Sequence, residues 1–311
     1  MIEEKENDMS NGLKALFASL LCAAAAAVSA DDFVFVGPKT VDSLPAVIAS
    51  KAGKFAAGVK FEQVTSPAAA VEQPGGHVDA AILSVVDAVA ITRAHPEFVL
   101  VQDVSATRAS IVCQRTETLR SQRQLGQIRK VGVADLGGAE VLALALWERE
   151  FHAKPGSLSD KAVKIPAGDL GRAFESGEVD CVSVTFPIDD PFAAPAAIRS
   201  SIDRVVWSTE SAYQPGSKKL IGRIPAAVLV VNRESCERSS IQCLSVARGL
   251  VAGAQEFYLH NVELMEKFGF ADKALMKIIN ETNERKNFLP RDNPYDYSLA
   301  AALTVERGWS N

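Results

Sequence analysis

Polar side chains follow a short apolar run near the start of this 311-residue chain, at a spacing that suits ligand binding. The run 33–38 is typical of a buried strand that ends at a Gly-Pro turn. Lys39, Thr40 and Asp42 come next, and a helical pattern begins at Leu44. Free backbone N–H groups at a helix start can hold a small polar or anionic ligand, although the same residues can simply cap the helix. Both interpretations remain open at this point.

Polar residues also follow the next two predicted strands. Thr65 and Ser66 come after VKFEQV, and Ser84 comes after VDAAIL. Strands that alternate with helices predict a mainly parallel sheet covered by helices, and in such sheets ligands bind outside the carboxyl ends of the strands. We therefore expect these polar residues and the 37–43 loop to lie at one edge of a sheet.

The second half of the chain repeats this organisation. KVGVADLGGAEVLALAL reads as strand, glycine loop and helix, with Asp135, Gly137 and Gly138 in the loop, and ESGEVDCVSV resembles GGHVDAAILS in the first half. Two similar α/β units are followed by a long apolar strand over 224–234 and a helical tail, which predicts a two-lobed protein with the tail packed on the first lobe. A second helix-start loop facing the same cleft makes ligand contact by Lys39–Ser43 the favoured interpretation.

Composition and motifs exclude several classes of function. The net charge is -5 and no basic run occurs, so nucleic acid is not an expected partner. The four histidines are scattered and no Cys/His cluster has metal-ligand spacing, so we expect neither a metal nor a cofactor. The chain lacks the G-x-S-x-G, H-E-x-x-H, P-loop and G-x-G-x-x-G motifs.

The first thirty residues predict export. Leu13 to Ala30 is apolar except for Lys14 and ends in Val-Ser-Ala, which is typical of a cleavable signal peptide rather than a membrane anchor. The acidic leader before this run is unusual for such a peptide, and Met9 is an alternative start to Met1. Cleavage after residue 30 removes four acids and two bases and leaves a net charge of -3.

Four cysteines remain in the mature chain. Cys236 and Cys243 lie seven residues apart beside a predicted helix, and an oxidising compartment makes a disulfide between them plausible. Cys113 and Cys181 lie on strand-like runs and are interpreted as buried free thiols, with a second disulfide between them as the alternative.

The order and spacing of these segments resemble the ABC-transporter solute-binding proteins of the alkanesulfonate, taurine, nitrate and thiamine-precursor type, which have the periplasmic binding protein type II fold. The resemblance is carried by DSLPAVIASKAGKF with VKFEQV, GGHVDAAILS, KVGVADLGG, FESGEVDCVSVTFP and IPAAVLVVN, and it spans 33–309. It implies a periplasmic, monomeric protein without enzymatic activity that binds a small molecule and delivers it to an inner-membrane ABC permease.

The resemblance also implies a division of the chain and a set of ligand contacts. Residues 31–110 and 227–311 would form lobe one and 111–226 lobe two, with crossovers near 111–114 and 225–228 and closure of the lobes on the ligand. The ligand contacts would be Lys39, Thr40, Asp42, Thr65, Ser66 and Ser84 from lobe one, and Asp135, Gly137, Gly138, Thr185, Phe186 and Asp189 from lobe two.

One departure from the family pattern bears on the ligand. Where many relatives have W-x-P after the "vDa" strand, this chain has Phe186-Pro187-Ile188-Asp189-Asp190. Two acids at a cleft favour a cationic, hydroxylated or hydrogen-bond-donating ligand over a simple oxyanion. The alternative is that these acids belong to a solvated turn.

Two other classes of function fit the same fold. One is an enzyme such as the pyrimidine-precursor synthases or the menaquinone-pathway enzymes, which are intracellular; the synthases need a clustered-cysteine segment that this chain lacks. The other is an exported accessory protein whose cleft takes a larger hydrophobic molecule. Turnover of a bound ligand by the purified mature protein would favour the enzyme.

Overall fold

The chain folds into two five-stranded sheets, each flanked by helices. A computed structural model describes residues 32–114, 125–185, 195–213 and 220–267. The described residues from Phe33 onward belong to one compact unit. The signal peptide predicted over 1–30 lies outside the described residues and stays a prediction. None of the helices described is long and apolar enough to cross a membrane.

The first sheet contains strands from both ends of the chain, in the order β2-β1-β3-β10-β4. Its strands are β1 Phe33–Pro38, β2 Val59–Val64, β3 Ala80–Ser84, β4 Phe98–Thr107 and β10 Ile224–Asn232. Its helices are α1 Leu44–Lys51, α2 Pro67–Glu72, α3 Val85–Ala94, α7 Arg233–Arg238 and α8 Ser240–Lys267. β1 is parallel to β2 and β3, and β10 is antiparallel to β3 and β4. Four of the five strands therefore point the same way.

The second sheet has the order β7-β6-β8-β5-β9 and the same arrangement. Its strands are β5 Ser110–Cys113, β6 Val131–Val133, β7 Ala162–Lys164, β8 Cys181–Val184 and β9 Val205–Ser208. Its helices are α4 Ala139–Glu150, α5 Leu170–Glu175 and α6 Ala196–Arg199. β6 is parallel to β7 and β8, while β5 is antiparallel to β8 and β9. Both sheets are thus α/β and mainly parallel, which confirms the predicted class.

The repeated Val-Asp of the two units has a structural role. Asp79, at the entry to β3, accepts a hydrogen bond from the Val34 backbone N–H at 2.6 Å and donates its own N–H to the Val34 carbonyl at 2.9 Å. Asp180, at the entry to β8, accepts from the Arg129 and Lys130 backbone N–H groups at 2.7 and 3.1 Å. Each aspartate therefore fixes its strand beside a parallel neighbour in the sheet, β1 for β3 and β6 for β8, which explains the repeat without a ligand.

The long helix α8 packs on the first sheet's side of the molecule through small residues. A Cβ on Gly253 would lie 2.0 Å from the Pro45 carbonyl oxygen, and a Cβ on Gly249 would lie 2.4 Å from the Phe55 ring. The backbones of α8 and α1 therefore approach more closely than any larger residue allows. The described part of the predicted helical tail therefore packs against α1 of the first sheet, and the rest of that tail lies outside the described residues.

Two disulfides link the four cysteines. Cys236 and Cys243 are joined at the α7–α8 boundary. Cys113 and Cys181 are also joined, across the antiparallel pair β5–β8, where they lie directly opposite each other. The interpretation of Cys113 and Cys181 as free thiols therefore differs from the structure, because strand register brings together two cysteines that are 68 residues apart.

The chain passes between the sheets at two neighbouring places. β4 ends at Thr107 in the first sheet and β5 begins at Ser110 in the second; the return leads from β9 to Ile224, which pairs with Thr107. Ser110 therefore belongs to the second sheet, although the expected boundary at 110/111 places it in lobe one. Residues 224–226 belong to the first sheet, although the expected boundary at 226/227 places them in lobe two. The division into lobes 31–110 plus 227–311 and 111–226 stays a prediction.

Candidate functional site

The carboxyl ends of the strands of both sheets meet where the chain crosses. β4 ends at Thr107, and the entry to β5 pairs with the end of β8, where Ser110 lies opposite Val184. The Thr107 hydroxyl donates to the Thr185 carbonyl oxygen at 2.8 Å and so joins the two strand ends. Ligands of α/β sheets bind at this kind of edge. The loops that follow β1, β3 and β6 therefore converge on one region with Thr185, the residue after β8.

Hydroxyl groups bind two acids of this region, the half-buried Asp42 and the buried Glu140. Ser105, two residues before Thr107 on β4, donates to Asp42 Oδ1 at 2.6 Å, and Thr40 donates to Asp42 Oδ2 at 3.2 Å. On the other side, the Thr185 hydroxyl donates to Glu140 Oε1 at 3.0 Å. Asp42 precedes α1, and Glu140 lies in the first turn of α4. The first sheet and the second therefore each contribute one hydroxyl-bound carboxylate.

The glycine loop of the second sheet lies against the first sheet's helix α3. A Cβ on Gly137 would be 3.1 Å from Asp87 Oδ1 and 3.4 Å from Ser84 Oγ. Within the loop, Gly137 N–H donates to Asp135 Oδ1 at 3.1 Å. Glycine favours this close approach, because a Cβ at position 137 would press on the Asp87 carboxylate.

Four carboxyl groups thus form one cluster, which we call the acidic cluster: Asp42, Asp87, Asp135 and Glu140. Burial raises the pKa of Asp42 above its usual value, and the charge of Asp135 adds to this rise, while hydrogen bonds from Ser105 and Thr40 oppose it. Burial and Asp135 raise the pKa of Asp87 in the same way, and a hydrogen bond with Ser84 opposes that rise. Burial also raises the pKa of Glu140 to about 7; hydrogen bonds from its own backbone amide and from Thr185 oppose this rise, and Asp135 and Asp42 add to it. Like charges and desolvation therefore both disfavour full ionisation.

The structure brings together seven of the twelve predicted contact residues: Thr40, Asp42, Ser84, Asp135, Gly137, Gly138 and Thr185. Ser84 caps α3 by accepting the Asp87 N–H at 3.2 Å, and Ser66 caps α2 by accepting the Ala69 N–H at 3.2 Å. Thr65 and Lys39 are exposed at the same edge. Phe186 and Asp189 lie outside the described residues. The binding roles of all twelve stay predictions.

Sequence reasoning missed four residues of this region: Asp87, Ser105, Thr107 and Glu140. The acids did carry a signal, since each is the single charged residue of an otherwise apolar helix start, in VVDAVAI and in GGAEVLALAL. The two hydroxyls carried none, because only the pairing of β4 with β10 and the position of the crossover place them here.

The acidic cluster does not have the form of a metal centre. Within the ranges that the structure describes, no group of three or more histidine, cysteine, aspartate or glutamate side chains could hold a metal ion. The cluster instead presents carboxylate oxygens and threonine or serine hydroxyls, which bind hydrogen-bond donors.

The fold is that of periplasmic binding proteins. The alkanesulfonate-binding protein SsuA from Xanthomonas axonopodis pv. citri, solved with MOPS, superposes with a TM-score of 0.61 at 13% identity over 92% of this chain and 96% of that chain. The periplasmic aliphatic sulphonate binding protein SsuA from Escherichia coli gives 0.60 at 13% identity over 89% and 86%. A ligand-binding component of an ABC-type import system from Staphylococcus aureus, solved with zinc, gives 0.54 at 11% identity over 88% and 90%.

These likenesses confirm the predicted two-lobed α/β fold and, at such identities, show the fold alone. No protein-family model matches the sequence. No curated protein matches it either.

Proposed function

We propose that this protein is an exported solute-binding protein that captures a small molecule between its two sheets and delivers it to an ABC importer. The observation that carries the proposal is the convergence of strand-end loops from both sheets on one polar region, in a fold shared with import-system binding proteins. A ligand that contacts both sides stabilises the closed arrangement, which a permease can then recognise.

Export is supported by two independent features of the chain. The first thirty residues have the pattern of a cleavable signal peptide. The four remaining cysteines are joined in two disulfides, which persist in oxidising compartments such as the periplasm. N-terminal sequencing of protein recovered from a periplasmic extract tests this part, with Asp31 expected as the first residue.

Ligand binding is tested on the mature chain by native mass spectrometry followed by thermal unfolding. A retained small molecule is expected as a mass increment that disappears after partial unfolding and dialysis. Adding the recovered molecule at about 100 times its dissociation constant should stabilise the folded state by about 2.7 kcal/mol. The absence of a retained molecule, together with no shift in melting temperature across a metabolite panel, would contradict the proposal.

One observation favours a second candidate, an enzyme on the same fold. A buried carboxyl group with a pKa of about 7, such as that of Glu140, suits a general acid or base. The mass of the ligand discriminates between the two functions. A binding protein returns it unchanged after prolonged incubation, whereas an enzyme converts it and the Glu140→Gln variant does not.

A further inference from the structure

Helix α3 has two apolar faces, although a single face is enough for a helix that covers one sheet. Ala88 and Ile91 belong to the apolar core of the first sheet. Val85, Val86 and Val89 belong to a different apolar core. At 3.6 residues per turn these three valines lie within about 100° of arc, on the other side of the helix from Ala88 and Ile91. The first sheet alone therefore does not explain the second face.

The second face of α3 shares its apolar core with the second sheet and its helix α4. This core contains every residue from Val141 to Trp147, a run long enough to cover all sides of α4. It also contains strand residues of the second sheet, such as Ile111 of β5 and Val133 of β6. The helices α3 and α4 contact each other directly. One apolar core is thus shared between a helix of the first sheet and the whole of α4.

This contact lies at the edge where the polar loops of the two sheets meet. The three valines of α3 are at most 8% exposed. At the same end of α3, a Cβ on Gly137 would lie 3.4 Å from Ser84 Oγ and 3.1 Å from Asp87 Oδ1. Gly137 belongs to the loop that leads directly into α4. Any movement that separates α3 from α4 therefore also moves this loop away from Ser84 and Asp87.

An apolar contact of this kind holds two parts of a protein together. Parts of a chain that meet through a small polar interface are expected to move relative to each other, whereas a hydrophobic interface opposes such movement. Separation of α3 from α4 would return the three valines, and the α4 side chains that face them, to water. The free energy of this exposure rises with the apolar area, and the contact is made entirely by the chain's own side chains.

We infer that α3 and α4 form an apolar clamp, made by Val85, Val86 and Val89 against α4, that keeps the polar region assembled in the ligand-free protein. The inference rests on the proposed function and describes how its site is formed. With the clamp closed, the loop of Gly137 already lies against the first sheet before a ligand arrives. The apparent affinity is then not lowered by a rarely populated binding-competent state. The closure that a ligand stabilises takes place away from the clamp.

Thiol accessibility measures how often the clamp opens. Val89→Cys places a single free thiol in the clamp, because the four cysteines of the mature chain are held in disulfides, and a cysteine side chain behaves as a small hydrophobic group. Val230→Cys is the matched control, since Val230 is fully buried in the core of the first sheet. Gln255→Cys gives the rate of an exposed thiol.

The assay uses mature protein that has been freed of any retained molecule by partial unfolding and dialysis. Each variant is alkylated with iodoacetamide in the absence of reductant, and the labelled fraction is followed by mass spectrometry. Urea unfolding of each variant gives its unfolded fraction, by which its rate is normalised. We expect Val89→Cys and Val230→Cys to react far more slowly than Gln255→Cys and at normalised rates within about tenfold of each other, because unfolding exposes both. Val86→Cys replaces Val89→Cys in the event that the latter does not fold.

The outcomes separate this inference from the proposed function. Alkylation of the clamp thiol more than about tenfold faster than that of Val230→Cys shows that α3 and α4 separate in the folded protein. That result overturns the inference and leaves the proposed function standing. Equal protection of the two thiols supports the clamp. It does so even where native mass spectrometry and the metabolite panel reveal no ligand, a result that contradicts the proposed function alone.

Discussion

Replacing Glu140 by glutamine should remove the part of the pH dependence of protein stability that comes from the Glu140 carboxyl group. The folded pKa of about 7 lies above the ordinary 4.5, so the folded state holds a proton that the unfolded state has released. The contribution of Glu140 to stability is therefore fully present below about pH 4.5 and is lost as the pH rises through about 7. The two pKa values correspond to about 3 kcal/mol in the free energy of unfolding, of which roughly 2.5 kcal/mol falls between pH 5 and pH 8.

The assay is urea unfolding of the mature wild-type and Glu140→Gln proteins at pH 5, 6, 7 and 8. The amide does not titrate, so the variant should gain roughly 2.5 kcal/mol relative to wild type between pH 5 and pH 8, or roughly 5–10 °C in melting temperature. Asp42 and Asp87 have raised pKa values in both proteins, so the variant should keep part of the wild-type slope. Glu178→Gln is the matched control, because it replaces an exposed glutamate of the same chain, and it should keep the whole wild-type slope. Equal pH slopes for wild type and Glu140→Gln would refute the account of Glu140 as an acid whose pKa is raised by burial.

Three further changes test the scaffold that holds the cluster. Gly253→Ala should destabilise the protein by about 2 kcal/mol or more in urea unfolding, because its Cβ would meet the Pro45 carbonyl, whereas Gly168→Ala, which has open space around it, should not. Replacing both Cys113 and Cys181 by alanine should lower the free energy of unfolding by about 4 kcal/mol, and replacing both Cys236 and Cys243, which close a shorter loop, should lower it by about 2 kcal/mol. A smaller loss for the longer loop would contradict the chain-entropy argument. Asp79→Ala should cost about 1–3 kcal/mol in the same assay, because it leaves the Val34 N–H without its acceptor, and an unchanged midpoint would show that the repeat is not structural.

Sequence periodicity was sufficient to predict the fold class and the loops of the site. Short apolar runs that end in Gly-Pro or in serine mark the strands β1 and β3, and the run before the Asp135–Gly138 loop marks β6. The polar residues after these strands reach the expected edge because parallel strands end on the same side. The repeat of GGHVDAAILS in ESGEVDCVSV correctly indicated two similar units. The role of its aspartate could be assigned only from the structure. Asp79 binds the backbone amide of Val34, 45 residues earlier, and Asp180 binds that of Lys130, 50 residues earlier.

The charge of the site was decided by tertiary structure. Asp42, Asp87, Asp135 and Glu140 are spread over about 100 residues, and nothing in their local sequence shows that they face one another. The crossover at Thr107 and the close approach of Gly137 to Asp87 bring them together, and burial then changes their protonation. Local sequence encodes strands, turns and caps because these depend on neighbours along the chain. The environment of a carboxyl group depends on neighbours in space, and it follows only from the packing of the two sheets.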